Sequence, residues 1–169
     1  MKRLESSHSR IVAASSAGAA LSRPLIQVSW DASPDLEEFQ RFINTYARTR
    51  FSNSIAERVT LASNELLDNA VRYGSLAREF SYSLSLESSR LSVSVHNSTV
   101  LTRIEMLTAH LQRLQTSAQQ VYVTELERST SGGGRRSMLG LARIRHEAEM
   151  PLELVLDGLD VTVRAHCPR

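Results

Sequence analysis

Glu65-Leu66-Leu67-Asp68-Asn69-Ala70-Val71-Arg72-Tyr73-Gly74 is the stretch that decides how this chain reads. Its spacing predicts a helix with acidic, amide, basic and aromatic groups beside a buried face. Glu65 and Asn69 are four apart and project from one side, with Arg72 and Tyr73 one turn further on. Ile55, Val59, Ala62, Leu66 and Ala70 form the neighbouring apolar stripe, suited to packing on a sheet. A carboxylate polarises a water or hydroxyl, and an amide oxygen suits Mg2+, a hard cation. A guanidinium reaches a phosphate and a tyrosine ring lies against a base. Together these groups suggest a nucleotide site. An amphipathic helix with a solvated polar face is the bland alternative, and the downstream sequence weighs against it.

Working outward, Leu25 to Trp30 is a β-prone run. Asp31-Ala32-Ser33-Pro34-Asp35 then supplies a helix start, with Ser33 as N-cap and Pro34 at the first helical position. Leu36, Phe39, Phe42, Ile43 and Tyr46 recur at helical spacing to about Arg50. Ser52-Asn53-Ser54 starts the next helix, which stops at Gly74. Phe80, Tyr82, Leu84 and Leu86 alternate with serines, as do Leu91, Val93 and Val95, so a hairpin turning at 87–90 follows. A long helical stretch runs from about Thr102 to Arg128, with a break expected at Ser117. Ser129 to Ser137 holds three consecutive glycines and reads as a mobile lid. A helix from Met138 to Glu149 is stopped by Pro151. A last hairpin turns at Asp157-Gly158. Residues 1–24 read as a tail or as an edge strand at Arg10–Ala14, and 25–169 as one domain.

The chain has 169 residues, enough for one sizeable core, with 41% apolar and 22% charged residues. Its net charge of +2, without a long basic run, makes no electrostatic case for nucleic acid. The single cysteine, Cys167, suits a reducing cytoplasm. No segment approaches the length of a membrane span, and Glu5, His8 and Arg10 interrupt any signal-peptide reading of the N-terminus.

Glu65, Asn69, Ala70, Arg72 and Tyr73 at this spacing resemble the N box of the GHKL ATPases, the superfamily of sensor histidine kinases, gyrase B and MutL. The resemblance implies a two-layer α/β sandwich, the Bergerat fold, with a mixed sheet covered on one face by helices. It implies ATP and Mg2+ as cofactors, Glu65 as catalytic base, Asn69 as metal ligand, Arg72 on a phosphate and Tyr73 on the base. In the superfamily a strand ends in Asp-x-Gly-x-Gly, whose aspartate accepts from the adenine amino group. Asn97 falls at that place, and both glycines are absent. Gly132, Gly133 and Gly134 lie where the phosphate-binding loop is expected. Leu139-Gly140-Leu141-Ala142-Arg143-Ile144 looks like the end of that motif, with Gly140 in the nucleotide-binding set.

Most of the chain resembles, more narrowly, the SiaB-like family of stand-alone GHKL proteins, related to the anti-sigma-factor serine kinases of bacterial partner switching. That resemblance implies phosphorylation of Ser or Thr on a STAS-domain antagonist, an opposing PP2C-type phosphatase and a sigma factor in the same circuit. The degenerate middle box keeps a second expectation open, a module that sequesters a STAS protein or sigma factor without phosphotransfer. A histidine autokinase is a third reading, but none of His8, His96, His110, His146 and His166 lies in a dimerisation helix before the N box. The face around Ile104–Leu114 suits either a homodimer or a cover for the sheet.

Overall fold

The computed structural model describes residues 22–30, 35–75, 80–87, 90–130 and 138–168. The elements run β1 (Ser22–Trp30), α1 (Leu36–Arg50), α2 (Asn53–Tyr73), β2 (Phe80–Glu87), β3 (Arg90–Ser98), α3 (Leu101–Thr130), α4 (Leu139–His146), β4 (Leu152–Asp157) and β5 (Asp160–Pro168). The Arg10–Ala14 strand, Ser33, Pro34 and the Gly132–Gly134 loop lie outside the described residues.

The strands form one sheet in the order β1-β2-β3-β5-β4. Helices pack on one face of it, so the expected sandwich is present. The expected mixed sheet is not: every described pairing is antiparallel. Two helices between β1 and β2 return the chain to the end it left, so β2 runs back along β1. The two hairpins are antiparallel by construction. Gly158, with φ of 61°, takes the left-handed turn position between β4 and β5 that side chains resist.

Alternation fixes which face each strand buries. Tyr82, Leu84, Val93, Val95 and Val161 are buried in the core, while Ser81, Ser83 and Ser94 occupy the opposite face. From the helix side, Ala56, Val59, Ala62, Leu66 and Ala70 of α2 fill the same core. Each buried valine or leucine contributes about 1.5–3 kcal/mol. Ser63 of α2 donates to the Val59 carbonyl at 2.7 Å and meets the Tyr82 hydroxyl at 2.9 Å, which satisfies a fully buried polar pair. Trp30, Phe39, Phe80 and Tyr82 clasp α1 to β1 and β2, with Trp30 and Phe39 edge to face at 4.9 Å.

Several boundaries differ from expectation. The N-cap of α1 is Asp35, whose carboxylate accepts from the Glu38 amide at 3.2 Å. The β1 strand starts at Ser22, with Pro24 tolerated on an edge strand beside a register shift. The α4 helix ends at His146, well before Pro151. The Ala148 and Met150 amides bond back to the Arg143 and Ile144 carbonyls, and Glu149 turns left-handed at φ 54°. The expected break in α3 is there, at Ser117 with φ −154° and ψ 71°.

Candidate functional site

Two cavities meet at Asn69. One, partly open to solvent, lies between the helices and the sheet. Leu66, Ala70, Val95, Leu107, Val161 and Val163 give it apolar walls. Its polar groups include Asn69, Asn97 and, at one side, Arg103 over the Tyr73 ring at 4.9 Å. The Thr99 hydroxyl donates to the Tyr73 carbonyl at 2.7 Å and ties the end of α2 to the end of β3. The second cavity is polar and is lined by Glu65, Asp68, Asn69, Arg72, Gly140 and Arg143.

The period of α2 explains this division. Glu65 and Asn69 sit one turn apart at the edge of its buried stripe, so Asn69 reaches both spaces. Its Nδ2 is buried and has no hydrogen-bond partner. A buried amide without a partner is costly unless a ligand satisfies it. Asp68 points outward, where the Gln40 side chain donates to it at 3.0 Å. Arg72 is exposed on the rim of the polar cavity.

Asn97 continues the helix-facing row of Leu91, Val93 and Val95, so register brings it to the apolar cavity. Gly74 makes room for it: a Cβ there would lie 2.7 Å from Asn97 Nδ2 and collide with the Ala70 carbonyl. His96 faces the other way and bonds Thr162 Oγ1 at 3.1 Å. Gly140 also serves as a space. A Cβ on it would collide with Glu65 Oε2 and lie 3.3 Å from Asn69 Nδ2, so glycine lets α4 approach α2 at the two residues of the motif.

Glu65 is not a bare base. Arg143 Nη1 donates to its Oε1 in an ion pair whose carboxylate is 18% exposed. Burial pushes the Glu65 carboxyl above its ordinary value, against the pull of Arg143. Arg143 Nε donates to Glu147 at 3.1 Å, and the Tyr122 hydroxyl donates to the same carboxylate at 2.9 Å. Burial resists it, but these bonds hold the Glu147 carboxyl below its usual range. Tyr122 also stacks on His146 at 4.5 Å. The outer half of α3 is thereby fastened to α4.

A second tie secures the start of α4. The Met138 amide donates to Glu125 at 3.1 Å, and Arg128 donates to the same buried carboxylate at 3.1 Å. Nearby, His110 is buried, and burial lowers its pKa to about 4, with Glu125 opposing and Arg113 assisting.

The structure thus gathers Glu65, Asn69, Arg72, Tyr73, Asn97 and Gly140 around adjoining cavities. Arg103, Arg143, Glu147 and Tyr122 join them without having been assigned a site role from sequence. Arg143 stands in the motif that ends at Ile144, and its spacing from Glu147 is an i,i+4 pair that a helix brings together. Among the described residues no cluster of three or more His, Cys, Asp or Glu could hold a metal.

No family model matches the sequence, and no curated protein matches it. A solved structure does. A chain of the SiaB-SiaC complex from Pseudomonas aeruginosa is similar with a TM-score of 0.61 and 16% identity, over 86% of this chain and 90% of that one. No helix among the described residues is long and apolar enough to cross a membrane. At this identity the likeness carries the fold, and the chain is an α/β sandwich of the same architecture as that neighbour.

Proposed function

We propose that this chain is a partner-switching regulator that uses ATP to phosphorylate Ser or Thr of a STAS-domain antagonist in the cytoplasm. One observation carries the reading: Asn69, with its unpartnered buried amide, joins an apolar cavity to a polar cavity that ends on Glu65. The apolar cavity suits a purine, with Tyr73 and Asn97 at its edge. The polar cavity suits phosphates, with Arg72 and Arg143 on its lining. Asn69 fits a Mg2+ ligand, because turning its amide presents an oxygen to the space where Nδ2 stands. The ion would supply charge neutralisation at the phosphates. Glu65 would take the proton of the partner's hydroxyl as that oxygen bonds to the γ-phosphorus and ADP leaves. A protein partner is supported by the neighbour's occurrence in a complex of two proteins. A sigma factor and an opposing PP2C-type phosphatase complete the proposed circuit.

A second reading is a module that sequesters its partner without phosphotransfer. The ion pair of Glu65 with Arg143 favours it, since an oxygen already accepting from a guanidinium is less free to accept from a hydroxyl. The test mixes the chain with a candidate STAS protein and Mg-ATP and follows the partner by mass spectrometry. Phosphoserine or phosphothreonine made by the wild type and not by Glu65→Gln supports the kinase. A stable complex without phosphate from either supports sequestration. Equal phosphorylation by both removes Glu65 from the mechanism.

A further inference from the structure

Arg143 serves two carboxylates with one guanidinium. Its Nη1 donates to Glu65, while Nε and Nη2 donate to Glu147 at 3.1 and 3.3 Å. The two attachments differ in kind. Glu147 is one helical turn away on α4 and is itself fixed by the Tyr122 hydroxyl at 2.9 Å. Glu65 comes from α2, and its other oxygen, Oε2, faces the backbone of Gly140. Glu147 therefore anchors the Nε side of the guanidinium, and the Nη1 side reaches across the polar cavity to Glu65.

Arg143 and Arg72 both line that cavity. A phosphate offers a guanidinium the same fork of acceptor oxygens as a carboxylate, with more charge. Any phosphate entering this space competes with Glu65 for Nη1. The competition has a consequence for Glu65, because a carboxylate oxygen that accepts from Arg143 has less capacity to accept from an incoming hydroxyl.

We propose that Arg143 is an exchange switch, bonded to Glu65 in the nucleotide-free chain and drawn to phosphate when nucleotide fills the polar cavity, which releases Glu65. The proposal rests on the nucleotide reading above. It turns the ion pair from an argument against catalysis into a device that silences the base until a phosphate is present. Glu147 and Tyr122 keep the guanidinium at hand during the exchange.

The test is a double-mutant cycle read by calorimetry, with ATP and adenosine as probes in the presence of Mg2+. Arg143→Gln weakens ATP by about 10-fold through loss of a charge-assisted contact. Glu65→Gln tightens ATP by about 3-fold or more, because the competitor for the guanidinium is gone. In the R143Q background the gain from Glu65→Gln shrinks to that of removing one negative charge. Adenosine binds all four proteins alike. Arg143→Lys keeps the charge without the fork and weakens ATP less than Arg143→Gln, which gives a milder reading should the glutamine variant fold poorly. Equal gains from Glu65→Gln in both backgrounds would overturn the switch while leaving the nucleotide reading intact, as would an unchanged ATP affinity in Arg143→Gln. If the wild type binds neither probe, the nucleotide reading falls and the switch falls with it.

Discussion

Gly140→Ala should separate stability from function in this chain. Position 140 lies in the first turn of α4, where alanine gains up to about 1 kcal/mol of helix propensity over glycine. Against that gain stands the space the new methyl must occupy. The atom it strikes is Glu65 Oε2, the far end of a side chain, with Asn69 Nδ2 next at 3.3 Å. No backbone atom is in the way, so the carboxylate swings aside and its bond to Arg143 loosens. Arg143 is 39% exposed, so that loss is discounted for solvent to about 1 kcal/mol. Gain and loss nearly cancel, and the unfolding free energy from urea titration should stay within about 1 kcal/mol of wild type. On the proposed kinase reading, phosphotransfer should fall by about 100-fold, because a carboxylate displaced by about 1 Å no longer meets the hydroxyl. The assay pairs urea unfolding with mass spectrometry of the partner. A loss of several kcal/mol would show that the helices, not the carboxylate tip, absorb the methyl. Wild-type transfer would show that the position of Glu65 does not matter.

Gly74→Ala should behave in the opposite way: its Cβ strikes the Ala70 carbonyl, which is backbone, and we expect a loss of about 1–3 kcal/mol in urea unfolding together with a displaced Asn97. In the core, Ser63→Ala should cost more than Tyr82→Phe, about 2 against about 1 kcal/mol, since the first leaves the Tyr82 hydroxyl buried without a partner while the second leaves Ser63 bonded to Val59. Equal losses in denaturation would refute that ordering. His110 is held neutral by burial, with a folded pKa of about 4 below the ordinary value, so the unfolded chain binds its proton first. Stability should therefore fall as pH drops from about 6.5 toward 4, and His110→Gln should lessen the slope in acid titration of the unfolding midpoint. The groups facing the imidazole are Glu125, Arg113 and Arg128.

Much of the fold was legible because its signals are local. The alternation of Phe80, Tyr82 and Leu84 with serines can only be a strand with one face buried. The apolar stripe of α2, its end at Gly74 and the break at Ser117 are likewise written within a few residues. Strand direction across the sheet is not local, which is why the antiparallel pairing of β3 with β5 could not be read from either strand alone. The early end of α4 was hidden for a related reason, since Pro151 marks a limit and not the point where hydrogen bonding changes. The site divides along the same line. Glu65, Asn69 and Tyr73 share one helix, so spacing alone puts them together. Arg143 meets Glu65 across 78 residues, and helical periodicity says nothing over that distance.

The kink at Ser117 makes α3 two hydrogen-bonded ladders in series, so each half can open without unwinding the other. The inner half carries Arg103 and Leu107 at the apolar cavity, and the outer half carries Tyr122 and Glu125, which hold α4. In hydrogen exchange they should form separate units of protection, the outer one nearer to the opening threshold. A partner that captures the outer half in its open form would draw on that unit alone, leaving the walls of the cavity closed.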